Sequence, residues 1–238
     1  MSRWIVASSE SEVALLKAAL GARPTGMSSG FAIYAGRLGD ECVRIGVVGI
    51  GPVSAALALG CFLATGEVDQ MIMVGSAGAF PGSDLAVGDV AIASSEILAE
   101  LGLCADRGVG DAAALHLPGL VQAIPLDEGL AQDTLAVAEE LFRARMGSFL
   151  SVAGVSDSEG QAATRVMRFR PLVENMEGYA LALAGQRAGI PVAEVRGVSN
   201  RAGVRDKSSW NLCLANERAQ AVVLAFCRRN SLPAGKKE

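Results

Sequence analysis

Ile45-Gly46-Val47-Val48-Gly49-Ile50-Gly51-Pro52-Val53-Ser54 opens an uncharged run that continues to Gly66. That exceeds the roughly 18 residues a membrane-spanning helix needs. Its Gly49-Ile50-Gly51-Pro52 centre breaks a continuous helix, because glycine favours turns and proline lacks an amide hydrogen. A strand over 43–50, a glycine turn, and a helix opened by Pro52 and running to Leu63 is the better reading, since proline is tolerated in a first helical turn. This strand–turn–helix unit decides the fold class.

The same alternation extends in both directions. Toward the N-terminus, 31–38 reads as a strand joined to 43–50 by Gly39-Asp40, a hairpin signal. Val13, Leu15, Leu16 and Ala19 give 12–20 helical spacing, and 4–7 is a short buried strand. Toward the C-terminus, strands are predicted over 71–74 and 87–97, then a loop excursion over 101–129. A helix over 134–145, a strand over 149–155 and a polar helix over 159–168 follow. A β-α-β unit spans 172–176, 179–188 and 192–198, and a last helix begins near Ser209 and ends near Arg228. These elements predict one α/β domain over 1–230, with a flexible tail at 231–238. Its three layers, α/β/α, enclose a central mixed, largely parallel, twisted sheet.

Composition narrows the chemistry. The 238 residues are 51% hydrophobic and 19% charged, enough to bury a sizeable core. Twenty-one basic and 25 acidic side chains leave a net charge of −4. Such a chain lacks the broad positive field of a nucleic-acid or anionic-membrane binder, which points to a small-molecule partner. The five cysteines are scattered with no CxxC spacing, as suits small thiols in a reducing compartment and neither a disulfide framework nor a zinc site. The only histidine, His116, lies in an expected loop, which argues against triad or multi-histidine metal mechanisms. Glu10 and Glu12 interrupt any signal-peptide core, so a cytoplasmic location is expected. No cofactor or metal is called for.

In open α/β sheets, ligands bind beyond the carboxyl ends of the strands. Four such ends are chemically loaded. Gly49-Ile50-Gly51-Pro52-Val53-Ser54 resembles a dinucleotide fingerprint, but Ser54 stands where the third glycine belongs. It reads equally as a tight turn or as a ligand loop. Gly75-Ser76-Ala77-Gly78-Ala79 is small enough for backbone N–H groups to approach a ligand, with the Ser76 hydroxyl added. Glu174-Asn175-Met176-Glu177 puts two carboxylates and an amide at a strand end, which costs several kcal/mol, on the order of 2–7, unless they are partnered. Arg196-Gly197-Val198-Ser199-Asn200-Arg201 places Ser199 and Asn200 just past an apolar strand.

The order of Gly75-Ser76-Ala77-Gly78, Glu174-Asn175-Met176-Glu177-Gly178 and Arg196-Gly197-Val198-Ser199-Asn200 resembles the nucleoside phosphorylase/nucleosidase superfamily over nearly the whole chain. Within it, the second and third segments and the stretch 200–210 look most like the futalosine hydrolase family, which removes hypoxanthine from futalosine in menaquinone biosynthesis. Glu10-Ser11-Glu12-Val13 also resembles the methylthioadenosine/S-adenosylhomocysteine nucleosidases, with Glu12 at their catalytic glutamate.

The resemblance implies a division of labour. Glu177 takes the ribose hydroxyls, for which an acceptor-only carboxylate is suited, and Met176 packs beneath the ring. Glu12 orients and deprotonates water; an ordinary first-turn glutamate is the competing view, with Glu10 the fallback. Asn200 faces the base. An uncharged amide suits a 6-oxopurine, whose O6 only accepts and whose N1–H only donates, whereas the adenine enzymes carry aspartate there. Ser76, Ala77, Gly78, Val155, Asn175 and Ser199 complete the substrate site. Trp210 either closes over the ligand or packs in the core. Arg201 and Arg205 are the candidates for a carboxylate at the 5′ end of the substrate.

No arginine or lysine lies between Arg44 and Arg107, so the Gly49 and Gly75 turns have only Arg44 close in sequence. This favours hydrolysis over phosphorolysis, although a glycine-rich turn can still bind phosphate through its N–H groups. A homodimer or higher homo-oligomer is expected. A methylthioadenosine nucleosidase and a purine nucleoside phosphorylase remain alternatives on the same fold. A non-catalytic nucleoside-binding protein, or an oxidoreductase built on Gly49-Ile50-Gly51, would be of a different class.

Overall fold

The computed structural model describes residues 2–66, 68–105 and 109–230; the expected tail at 231–238 lies outside them. The first half contains β1 (Arg3–Ala7), a 3₁₀ turn (Glu10–Val13), α1 (Ala14–Ala19), β2 (Arg23–Ser28), β3 (Phe31–Leu38), β4 (Glu41–Val47), α2 (Pro52–Leu63), β5 (Gln70–Ala79) and β6 (Val90–Leu98). Next come β7 (Leu103–Ala105), β8 (Val109–Asp111), β9 (Ala123–Pro125), α3 (Glu128–Leu141), β10 (Ala144–Ser151) and α4 (Glu159–Phe169). The chain closes with β11 (Val173–Asn175), α5 (Gly178–Ala188), β12 (Val192–Arg201) and α6 (Leu212–Arg229). The architecture is a three-layer α/β/α fold around a mixed sheet.

Strand order is β11-β10-β6-β12-β5-β1-β4-β3-β2, with β9 added to β6. β1 pairs in parallel with β4 and β5, and β12 in parallel with β5. The hairpin strand β3 and the crossing β6–β12 are antiparallel. β11 bonds β10 on one side and the end of β5 on the other, so this half of the sheet curls closed.

Alternation along the strands builds two cores. Trp4, Val6, Met71 and Met73 join Phe62 of α2 and Leu181 of α5 in one layer. Ile5, Ile45, Ile72, Val74 and Val195 meet Leu16 of α1 and Val222 and Phe226 of α6 in the other. Period-two alternation sends successive side chains to opposite faces, which is why one buried strand feeds both layers. Trp4 stacks on Phe62 with ring centroids 4.9 Å apart, and Gly46 leaves room for the Phe62 ring. α2 starts as its sequence suggests, with Gly51 at φ 92° and Pro52 in the first turn.

Several boundaries differ from the sequence reading, each for a physical reason. Gly75–Ala79 is not a turn but the second half of β5, because small residues allow β12 and β11 to pair closely with it. Ser199 and Asn200 likewise lie within β12, at a register shift between Val198 and Asn200. The strand expected over 149–155 is β10, which starts at Ala144, beside Val90. The helix expected from 134 begins at Glu128, where the Asp127 carboxylate accepts the Leu130 amide at 2.8 Å. The excursion over 101–129 contains the β7–β8 hairpin, β9 and the start of α3. β2 was not anticipated; it is an exposed edge strand containing Pro24, a composition that reads as loop. The last helix starts at Leu212, capped by Asn211, after a 3₁₀ turn over Lys207–Ser209. β11 and β12 are not neighbours, so the expected β-α-β unit does not form.

Phe62→Ala removes the ring that ties α2 to β1 and should cost about 3–5 kcal/mol. A denaturant midpoint lowered at unchanged slope would show it; an unchanged midpoint would mean that α2 is held elsewhere.

Candidate active site

The carboxyl-terminal halves of β5, β11 and β12, and the residues after β1, β4, β10 and β11, line one cavity of about 990 Å³. Glu12, Ser76, Ala77, Gly78, Val155, Asn175, Met176, Glu177, Ser199, Asn200, Arg205 and Trp210 all line it. Arg201 does not: the last residue of β12, it is exposed. Glu10 is outside as well, paired with Lys17 and accepting from the Tyr34 hydroxyl at 2.7 Å.

Glu12 is buried and held by five donors, the weakest of them the Ser9 hydroxyl at 3.4 Å. Oε2 accepts from the amides of Ser8 and Ser9 at 3.0 and 3.1 Å and from the Ser8 hydroxyl, while Oε1 accepts from the Ser76 amide at 3.0 Å. It closes a capping box with Ser9, so the ordinary first-turn role and a place on the cavity wall coincide.

Glu177 ends the loop after β11. Its Oε1 accepts from the Gly51 amide at 3.0 Å and its Oε2 lies 3.3 Å from Arg196 Nη2. The glycine turn after β4 therefore serves the site through its backbone. Burial pushes the Glu177 carboxyl above its ordinary value; Glu12 and Glu194 add to this, and Arg196 and the Gly51 amide oppose it.

Sequence reasoning missed Arg196 as a site residue. It is buried in β12, donating from Nε to Glu194 Oε1 at 2.7 Å and from Nη1 to the Ser76 carbonyl at 3.4 Å. Burial works against its charge, but the carboxylates of Glu194, Glu177 and Glu12 outweigh that and raise its pKa. The only signal was a charge inside an apolar strand. Gly75 makes the arrangement possible: a Cβ there would lie 2.5 Å from Arg196 Nη1 and 2.7 Å from Glu12 Oε1.

The other carboxylate of the Glu174-Asn175-Met176-Glu177 segment has its own partners. Glu174 receives Arg165 Nη1 at 3.0 Å and the Ser156 hydroxyl at 2.7 Å. Arg165 also donates to the Gly154 carbonyl at 2.7 Å, fixing the loop that carries Val155. The Asn175 oxygen accepts the amides of Glu177 and Gly178 at 3.0 and 2.8 Å, so this side chain serves the position of Glu177.

At the base of β12, Asn200 Oδ1 lies 2.8 Å from the Ser199 hydroxyl and Nδ2 donates to the Arg201 carbonyl at 2.9 Å. A carbonyl can only accept, so this contact fixes which end of the amide is which. Trp210 donates to the Val204 carbonyl at 3.1 Å, and the Arg205 guanidinium stands 5.0 Å from its ring centroid. Among the described residues, Arg205 makes no ion pair. No group of three or more metal-ligating side chains occurs among them, and no helix is long and apolar enough to cross a membrane.

With this geometry in place, the phosphorylase superfamily model matches residues 3–228. The chain belongs to the phosphorylase superfamily. It is 36% identical to a futalosine hydrolase of Thermus thermophilus over 174 residues, covering 68% of this chain and 71% of the relative. It is 27% identical to a 5′-methylthioadenosine/S-adenosylhomocysteine nucleosidase of Oceanobacillus iheyensis, covering 96% and 100%. The solved futalosine hydrolase of Helicobacter pylori superposes with a TM-score of 0.85 at 18% identity, over 97% of this chain and 98% of that one. These relatives are purine nucleosidases, and the chain is an enzyme of that kind, hydrolysing an N-glycosidic bond.

Glu177→Gln nearly preserves shape and removes the charge, so kcat should fall at least about 100-fold with little change in denaturant midpoint. An unchanged rate would remove Glu177 from the chemistry. Since its carboxyl titrates above the ordinary value of 4.5, the acid limb of kcat/KM should lie above that value, activity being lost as pH falls and Glu177 takes up a proton.

Proposed function

We propose that the enzyme hydrolyses futalosine to hypoxanthine and dehypoxanthinyl futalosine, a step of menaquinone biosynthesis. The observation that carries this reading is the uncharged Asn200, oriented by Ser199 and the Arg201 carbonyl at the cavity wall. Its Nδ2 has a second hydrogen to offer, and a 6-oxopurine presents N7 and O6 as adjacent acceptors. An adenine presents a donor at the 6-position, which an aspartate would match better. The 36% identity to the Thermus thermophilus futalosine hydrolase supports the same reading.

In this mechanism Glu177 accepts from the ribose hydroxyls and its charge favours the cationic sugar as the glycosidic bond breaks. Glu12, immobilised by Ser8, Ser9 and the Ser76 amide, orients and deprotonates the attacking water. Arg205, stacked on Trp210 at the cavity rim, binds the aromatic carboxylate at the 5′ end of the substrate. Arg196 is the cation beside the ribose site, and Glu194 and Glu177 already occupy it. That favours water over phosphate as the nucleophile. Arg44, the cation nearest the glycine turn in sequence, stands over the Trp4 ring.

The methylthioadenosine nucleosidase reading is favoured by one observation, the 27% identity that covers nearly the whole of both chains. We place the enzyme in the cytoplasm as a homodimer or higher homo-oligomer. The exposed Ile50, Val53 and Leu57 at the start of α2, beside the cavity, support self-association.

Free-base release from futalosine, inosine and methylthioadenosine, with and without phosphate, separates the readings by chromatography. Hypoxanthine from futalosine without phosphate is the expected result. Adenine from methylthioadenosine would overturn it, and a requirement for phosphate would make the enzyme a phosphorylase. Asn200→Asp should shift preference toward adenine nucleosides by about tenfold or more; an unshifted ratio would mean that another group selects the base.

A further inference from the structure

Behind the ribose side of the cavity, two fully buried carboxyl groups meet. Glu96 sits near the end of β6 and Glu194 within β12, both at 0% exposure. A Cβ on Gly178 would overlap both Glu96 Oε1 and Glu194 Oε2, so these oxygens face each other across the bare Cα at the start of α5. Glu96 accepts from Asn175 Nδ2 at 2.6 Å and from the Ser151 hydroxyl at 2.7 Å. Glu194 Oε1 accepts from Arg196 Nε, whereas Glu194 Oε2 meets no N–H or hydroxyl donor among the described residues. Two bare carboxylates in contact inside a protein repel strongly; one proton between them turns repulsion into a hydrogen bond and satisfies the orphan oxygen.

The two arms of this pair converge on one residue. Glu96 holds Asn175, whose side-chain oxygen takes the Glu177 amide. Glu194 holds Arg196, whose other end takes the Glu177 carboxylate. The geometry points to Glu96 and Glu194 sharing one proton as a positioning pair that fixes the backbone of Glu177 through Asn175 and its charge through Arg196. The inference rests on the reading of Glu177 as the ribose-facing carboxylate. Glu96 carries the proton, since burial and the neighbouring Glu194 both push its carboxyl well above its ordinary value, against the pull of Ser151 and Asn175. Glu194 keeps its other oxygen on Arg196, which also faces Glu177 and Glu12, the Ser76 carbonyl and the Met73 sulfur. Neither carboxyl lines the cavity, so neither touches substrate; they act through the guanidinium and the amide.

The test compares wild type, Glu96→Gln and Glu194→Gln. Infrared spectra at neutral pH should contain a protonated carboxylic acid band in wild type that Glu96→Gln lacks. Wild-type stability should fall as pH rises above the ordinary carboxylate value, because the folded chain then keeps a proton that the unfolded chain has released; Glu96→Gln should lose that part of the slope. In turnover, Glu194→Gln leaves Arg196 with one carboxylate fewer. Its pull on Glu177 strengthens and the acid limb of kcat/KM moves to lower pH, with kcat down about 10- to 100-fold through misplacement. Glu96→Gln can turn its amide nitrogen toward Glu194 only by giving up the Oε1 contact with Asn175, so kcat should fall while the limb, set by Arg196, stays in place.

A merely structural pair would lower stability in both variants without moving the limb. An unmoved limb in Glu194→Gln, or an acid band that survives in Glu96→Gln, overturns the proposal. Should wild type hydrolyse no nucleoside, the nucleosidase reading fails instead, and the band and the stability slope decide the shared proton alone.

Discussion

The guanidinium of Arg196 is the contact around which the site is arranged. Glu12 comes from the turn after β1, Glu177 from the loop after β11, and Glu194 from β12 itself. None of these carboxylates is adjacent to another in sequence, and without a cation among them each would pay the full cost of burial beside like charge. Arg196 pairs with Glu194 and Glu177 and lies near Glu12, because β12 runs beside β5 and Gly75 has no side chain to stand between them. The apolar pattern of β12 is thus interrupted at Glu194 and at Arg196, a buried cation that no core would tolerate alone. Its presence there makes sense only when the three acids are brought to it.

The layered fold supplies that convergence. Parallel pairing of β1, β4, β5 and β12 puts their carboxyl ends on one edge, where each strand's last residues leave the core and turn polar. The hydrophobic halves of these same strands, locked between α2 and α5 on one face and α1 and α6 on the other, are what hold the polar ends in register. Ser76, Ala77, Gly78, Asn175, Ser199 and Asn200 are therefore held on strands, while Glu12, Val155, Met176, Glu177, Arg205 and Trp210 come from the turns and loops that follow strand ends.

The alternation of strands and helices, the two-faced core and most of the cavity wall were legible in the residues. Strong apolar periodicity and punctuating glycines and prolines are local signals, and they placed α2, β3 and α5 closely. What could not be read was long-range. Small residues at 75–79 looked like a turn because the strands that flank them, β11 and β12, lie far along the chain. Arg196 looked like one letter of a motif because its partners are spread over most of the sequence. Arg201 reads as a loop cation for the substrate's 5′ carboxylate, whereas it ends β12 and is exposed to solvent. The partners that Glu174 and Glu177 required were anticipated as a need, but only the fold identifies them as Arg165 and Arg196.

The pairing of β11 with the far end of β5 bears on how the molecule comes into being. β5 belongs to the first half of the chain and β11 to the last third, so this contact closes a long loop and its entropy is recovered late. During synthesis the early strands can collapse on α2 while the segment that carries Glu177 is still leaving the ribosome. The cavity acquires its ribose-facing wall only when that segment docks. A chain that stops short of that segment lacks both the ribose-facing wall and the strand β12 that joins β6 to β5, so recovered turnover after denaturation reports the closing of the curl.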